Sequence, residues 1–164
     1  MVQRIPYPAM NTGVDWLFPE GAFSYWKSAF FSDLSDQAVE VVIESFERAP
    51  SELCALVVEA FHGAVTRVAP TATAYPHREP GFNLLLIASW TNPAETDSCI
   101  NWARETFDAL SPYMADRSYT NYLSADDHDR VENAYGPNLQ RLAELKRRYD
   151  PDNLYRNNVN LRPA

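Results

Sequence analysis

The residue types that most often carry chemistry are present in this sequence, but their spacing does not suit the familiar reactions. His62, His77 and His128 have no ligand-type spacing to one another or to a cysteine, and no serine or cysteine sits beside a histidine as an activated nucleophile would. Metal and acyl-transfer chemistry are therefore unsupported. Cys54 and Cys99 fall on a predicted strand and a predicted helix and read as buried free thiols. The five glycines, Gly13, Gly21, Gly63, Gly81 and Gly136, are isolated, so no glycine-rich loop brings backbone amides onto a phosphate. What remains is phenols, amides and a carboxylate. If YTNYL is extended, Thr120 and Tyr122 share one face and Tyr119 and Asn121 the other. Val57, Glu59 and Phe61 likewise share a strand face, and Asn158 and Asn160 lie on one side of an extended tail. Each has a plain structural reading beside the functional one. Tyr122 would be a strand aromatic packed on a helix, Glu59 a solvated side chain, and the asparagines ordinary turn and strand-end hydrogen bonders.

The elements that must position these groups can be read from composition and pattern. The 164 residues are 46% hydrophobic and 13% aromatic, enough apolar mass for one compact domain and incompatible with disorder. A formal charge of −8 gives a surface that repels phosphate backbones, which excludes nucleic acid as a partner. The one basic cluster, Lys146-Arg147-Arg148, closes a predicted helix, where it compensates the dipole. The N-terminal stretch is not apolar enough for a signal peptide, and no segment approaches the roughly 20 apolar residues that span a bilayer. The expectation is a soluble, cytoplasmic chain with no membrane contact.

Residues 1–21 read as an extended lead-in packing Tyr7, Trp16 and Phe18, and FSYWKSAFFSDL as a strand that ends in a turn. The spacing predicts a helix over 36–47, with Ser35 as N-cap, Pro50 as terminator, and Val39, Val42, Ile43 and Phe46 as the stripe that covers a sheet. Strands are expected over 53–61 and 82–90, joined by a short strand, a loop and an edge segment. A second helix starts after Asn92 and presents Ile100, Ala103, Phe107 and Leu110. A third presents Leu139, Leu142, Leu145 and Tyr149 until Asp150-Pro151 ends it, and an extended tail follows. The order of elements predicts an α+β fold, an antiparallel sheet covered on one face by helices, with an extended C-terminal tail.

The closing segment, NYLSADDHDRVENAYGPNLQRLAELKRRYDPDNLYRNNVNLRP, resembles the C-terminal signature of berberine-bridge-type oxidases: N-Y, then Y-G-x-N-x-x-R-L, then K-x-x-Y/F-D-P-x-N-L-F-R, then N-x-N. The likeness extends more weakly to YWKSAFFSDLSDQAV, HGAVTRVAPTATAYPHR and LLLIASWTNPAE. It implies a substrate-binding-type region over 1–115 and a berberine-bridge-type region over 116–164, packed as one domain. Such oxidases are much longer and hold FAD in a separate domain that nothing here matches, so the expectation is a substrate-side half that needs an FAD-binding domain or chain as partner.

By motif position the resemblance implies Tyr122 as the general base toward an alcohol, sugar or related small-molecule substrate. Tyr119, Asn158 and Asn160 would lie nearest the flavin, and Glu59 and Phe61 nearest the substrate. A tyrosine ordinarily titrates near pH 10, so the role requires surroundings that favour phenolate. Tyr75-Pro76-His77-Arg78, also similar to a family string, reads as structure. The competing expectation is a free-standing, non-catalytic module that homodimerises through the face once packed on a flavin domain. A decayed reading frame is the blandest outcome.

Overall fold

The computed structural model describes residues 4–13, 15–124, 126–127, 130–156 and 159–164. In chain order its regular elements are α1 (Tyr7–Asn11), β1 (Phe23–Phe31), α2 (Asp36–Glu47), β2 (Ala55–Phe61), β3 (Gly81–Trp90), α3 (Thr96–Leu110), α4 (Val131–Tyr135) and α5 (Leu139–Tyr149). The three strands form an antiparallel sheet in the order β1-β3-β2. Helices pack on one face of it, so the fold is α+β, as the element order predicts.

The strand register sorts side chains into two faces. One carries Tyr25, Lys27, Ala29 and Phe31 of β1, paired with Ala88, Leu86, Leu84 and Phe82 of β3, and continues to Leu56 and Val58 of β2. Here the main core forms. Leu84, Leu86 and Leu110 are fully buried, each stabilising the fold by roughly 1.5–3 kcal/mol relative to exposure. Along α3, Cys99, Trp102, Ala103, Thr106 and Leu110 are buried, and the Trp102 indole donates to the Ser45 carbonyl at 2.8 Å, tying α3 to α2.

The Ser35 cap forms as the sequence predicts, and Asn92 caps the turn before α3. Ser35 Oγ accepts from Ala38 N at 3.2 Å, and Asn92 Oδ1 accepts from Ala94 N at 3.1 Å before a 3-10 turn leads into α3. Gly81 opens β3 with φ +151°, and a Cβ there would lie 2.2 Å from the Phe31 carbonyl oxygen, so only glycine fits this approach. Cys54 and Cys99 are buried free thiols within one apolar cluster.

Several local expectations are corrected. On α2 the buried residues are Ala38 and Ser45, while Val39, Ile43 and Phe46 are exposed. The helical period is right and the phase is wrong, because small residues let α2 approach the sheet and Trp102 closely. Tyr149 at the end of α5 is exposed, and no residue of that helix is fully buried. Tyr7 and Trp16 are also exposed, on a short helix and a 3-10 turn rather than a packed extended lead-in. Between β2 and β3 the chain forms a 3-10 turn, Val65–Arg67, and a loop rather than a short strand. Among the described residues no helix is long and apolar enough to cross a membrane.

Candidate functional site

The second face of the sheet is the one opposite α2 and α3. Its rows are Trp26, Ile87 and Ala55; then Ser28, Leu85 and Val57; then Phe30, Asn83 and Glu59. The turn carrying Tyr119 and Tyr122 and the loop carrying Tyr75 and His77 lie over it.

YTNYL is not a strand. Thr120–Tyr122 is a 3-10 turn closed by Tyr122 N donating to Tyr119 O at 3.0 Å. Three residues per turn eclipse positions i and i+3, so Tyr119 and Tyr122 stand side by side instead of on opposite faces. Their rings meet edge to face with centroids 4.9 Å apart. Tyr119 also meets Tyr75 at 5.6 Å and accepts a hydrogen bond from Asn121 Nδ2 at 2.9 Å. Tyr122 packs on Leu85, Ile87, Trp26 and Ala55, and its ring lies 6.2 Å from that of Trp26. Phe61 closes the aromatic surface, 6.1 Å from Tyr75 and 6.0 Å from Phe30.

Glu59 and Tyr122, far apart in sequence, are brought together on this face. Asn83 Nδ2 donates to Glu59 Oε2 at 2.6 Å, fixing the carboxylate. Burial first, and then the neighbouring Glu59 carboxylate, raise the Tyr122 phenol above its ordinary value. These surroundings favour the neutral phenol, the reverse of what a free phenolate base needs. Tyr75 is pushed up to about 12, mainly by burial. Beside Tyr122 opens a cleft of about 500 Å³, also lined by Trp26, Asn121 and Ser124. Beneath the aromatic layer, Trp26 Nε1, Ser28 Oγ and Asn83 Oδ1 are buried without partners among the described residues, polar atoms that a ligand or water would satisfy.

Asn160 stands apart. It lines a different cleft, of about 700 Å³, with Arg156, Arg162 and Ala143, and its Oδ1 is buried without a partner. Asn158 and His128 lie outside the described residues.

A charged clamp that the sequence reading missed positions the Tyr122 turn. Lys27, on the helix-covered face of β1, reaches Asp127 Oδ1 at 2.6 Å and Asp126 Oδ1 at 3.2 Å. Asp126 also accepts from the Tyr25 hydroxyl at 2.6 Å and from Arg104 at 2.9 Å. Burial opposes its ionisation, but these donors hold its carboxyl well below the usual range. Burial alone would lower Lys27; Asp127 overcomes it, and the ammonium titrates above its ordinary value. From the same segment Ser124 Oγ donates to the Trp26 carbonyl at 2.6 Å, Arg130 donates to the Ser28 carbonyl at 3.3 Å, and Ala115 N donates to the Phe30 carbonyl at 2.7 Å. Three successive edge carbonyls of β1 are thus capped without a fourth strand. The signal was present as a lone lysine in an aromatic strand, which requires an acidic partner when buried.

The other motif positions are structural. Asn138 Nδ2 donates to the carbonyls of Pro70, Thr73 and Ala74 at 2.8–3.4 Å. Asp150 accepts from Lys146 and from the backbone of Leu154 and Tyr155, closing the turn after α5. His77 is buried with Nε2 2.7 Å from the carbonyl of Ser118, the residue before Tyr119.

Comparison with known proteins places this arrangement. Residues 118–162 match the family model described as "Berberine and berberine like". The chain is 24% identical over 164 residues to an FAD-linked oxidoreductase of Dictyostelium discoideum, covering 99% of this chain and 36% of the relative. It is 31% identical over 124 residues to YgaK, an uncharacterised FAD-linked oxidoreductase of Bacillus subtilis, covering 75% of this chain and 27% of the relative. Among solved structures, BBE-like 28 of Arabidopsis thaliana superposes with a TM-score of 0.79 at 18% identity, covering 88% of this chain and 34% of the other. The glycopeptide hexose oxidase DBV29, solved with teicoplanin, gives 0.78 at 24% identity, covering 87% and 33%. These two show the fold. The chain spans about a third of the length of the relatives it matches.

Proposed function

Because this chain corresponds to the C-terminal, substrate-side region of berberine bridge enzyme-like FAD-linked oxidoreductases, we propose that it forms the substrate-side wall of a flavin-dependent oxidase. In that reading Tyr122 and Glu59 together handle the proton of an alcohol, sugar or related hydroxyl. The observation that carries it is the juxtaposition of Tyr122 with a carboxylate fixed by Asn83 on the sheet face opposite α2 and α3. A phenol raised by its carboxylate neighbour does not act as a stored phenolate. It passes the substrate hydroxyl proton on to Glu59, which ends protonated as the carbonyl forms. Phe61 and Trp26 supply apolar walls that exclude water.

FAD, when bound, accepts the hydride that leaves the substrate carbon. By motif position Tyr119, Asn158 and Asn160 would meet the edge of its ring; Asn160 Oδ1, buried without a partner among the described residues, would do so from a cleft of its own. They do not fit its pyrophosphate, since the glycines are isolated. The dinucleotide then belongs to a separate FAD-binding domain or chain.

The test is complementation. The chain is co-expressed with the FAD-binding portion of a relative and assayed for flavin absorbance and for oxygen uptake dependent on an alcohol or sugar. A colourless mixture that consumes no oxygen counts against the reading.

A further inference from the structure

The sequence has two cysteines, and the fold brings them together. Cys54 stands just before β2 and, since side chains alternate along the strand, shares the helix-covered face with Leu56. Cys99 lies near the start of α3, on the side that also buries Trp102 and Ala103. Both belong to one interior cluster with Ala88, Trp90, Trp102 and Ala103, at 5% and 0% exposure. The Cys54 thiol donates to the Ser89 carbonyl at 3.8 Å and lies within hydrogen-bond reach of the Cys99 sulfur. Burial first, and then Cys54, push the Cys99 thiol up to about 11, so Cys99 keeps its proton at neutral pH. A small apolar side chain would fill either place. Packing alone therefore gives no reason for two thiols, far apart in sequence and on different layers, to meet.

We infer that Cys54 and Cys99 are a modification site, the two halves of a reversible disulfide that ties the start of α3 to the strand carrying Glu59. The oxidant is a hydroperoxide, small enough to reach the less enclosed sulfur, that of Cys54. With hydrogen peroxide, this sulfur attacks one oxygen, the O–O bond breaks, and Cys54 becomes a sulfenic acid as one water leaves. Cys99 then attacks the sulfenic sulfur. The S–O bond breaks, the S–S bond forms, and the Cys99 proton departs with the hydroxyl as a second water. Two electrons pass from the two sulfurs to one peroxide. A protonated Cys99 suits this order, because a neutral thiol is slow to react with peroxide by itself and brings the proton that the leaving hydroxyl needs. The bond closes the 54–99 loop, which holds β2 and β3, and so constrains the unfolded chain. The pair lies inside the fold and stands whether or not the oxidase reading does.

The experiment treats the intact, folded chain with excess hydrogen peroxide, then alkylates remaining thiols under denaturing conditions. Intact mass, peptide mapping and thermal unfolding follow. Both cysteines are expected to escape alkylation together, with the chain lighter by two hydrogen atoms and one peptide joining Cys54 to Cys99. The melting temperature is expected to rise by roughly 10 °C and to return to its starting value with dithiothreitol. Cys54→Ala and Cys99→Ala are each expected to abolish the link and the rise. Should either variant fail to fold, the mass and peptide map of the natural chain decide alone. Two cysteines that both remain alkylatable overturn the proposal, as does oxygen added to one sulfur without a link, or a link between two chains. A link that lowers the melting temperature overturns it as well, because the folded geometry then does not accommodate the bond.

Discussion

Lys27 Nζ and Asp127 Oδ1 lie 2.6 Å apart with side chains 8% and 3% exposed, and this buried pair joins the edge of β1 to the segment that presents Tyr122. Among its described residues the segment has no strand pairing beyond the single bridge between Phe30 and Ala115. Its position therefore depends on side chains reaching the β1 edge.

Removing one partner leaves the other charge buried. Lys27→Met is expected to destabilise the chain by about 3–5 kcal/mol, read from urea unfolding. Asp126→Asn is expected to cost no more than about 1 kcal/mol, since that carboxylate is 38% exposed and shared with Arg104. Equal costs for the two substitutions would mean the Lys27–Asp127 pair is hydrated in solution.

His77 gives the fold a defined acid sensitivity. Burial first, and then the Arg117 charge, lower its pKa, against the hydrogen bond to the Ser118 carbonyl. The folded state therefore binds its proton less readily than the unfolded chain, where histidine titrates near pH 6.5. Stability from this group is complete above about pH 6.5 and is lost as pH falls through the lower folded value. Unfolding midpoints measured across that window are expected to fall for the natural chain and to stay level for His77→Gln. The loss carried by Asp126 begins only below the carboxylate range, near pH 3.9, so the two windows separate. A flat profile for the natural chain would remove His77 from this role.

How much of this was legible depended on whether local rules decided the outcome. Ser35, Asn92 and the aliphatic runs place α2, α3 and the strands, because caps and apolar runs act through neighbouring residues. The face that α2 buries was not legible, since Ala38 is buried among Ala29, Phe31, Leu84 and Leu110, and Ser45 meets Trp102, all on other elements. The Tyr119–Tyr122 turn was read as strand because aromatic residues suit both, and the hydrogen bonds that bend it are not in the local pattern. The pairing of Glu59 with Tyr122 follows from where that turn is anchored. Motif matching singled out Tyr122 and left Asn138 and Asp150 without a role, and these two hold backbone in place through an amide and a carboxylate.

Asn138 can be tested as such a tether. Its amide serves three loop carbonyls and is 7% exposed. Asn138→Ala is expected to cost about 1–3 kcal/mol and to raise proteolytic nicking within residues 70–75. Loss of stability without loop exposure would contradict the tether.

The acid–base pair makes a prediction that needs no flavin. Glu59 contributes to the rise of the Tyr122 phenol pKa, after burial. In Glu59→Gln the carboxylate is gone while Asn83 keeps a carbonyl acceptor, so the Tyr122 ring resonance, followed by NMR with labelled tyrosine, is expected to titrate at lower pH than in the natural chain. In the complemented oxidase, Tyr122→Phe and Glu59→Gln are each expected to lower kcat/KM by roughly 10²–10⁴-fold. If the two groups pass one proton, the double variant is expected to lose little more than either single one. Losses that multiply would mean the two act independently. An unshifted Tyr122 titration in Glu59→Gln would mean that the carboxylate does not act on the phenol, and the relay from substrate to Glu59 would have no physical basis.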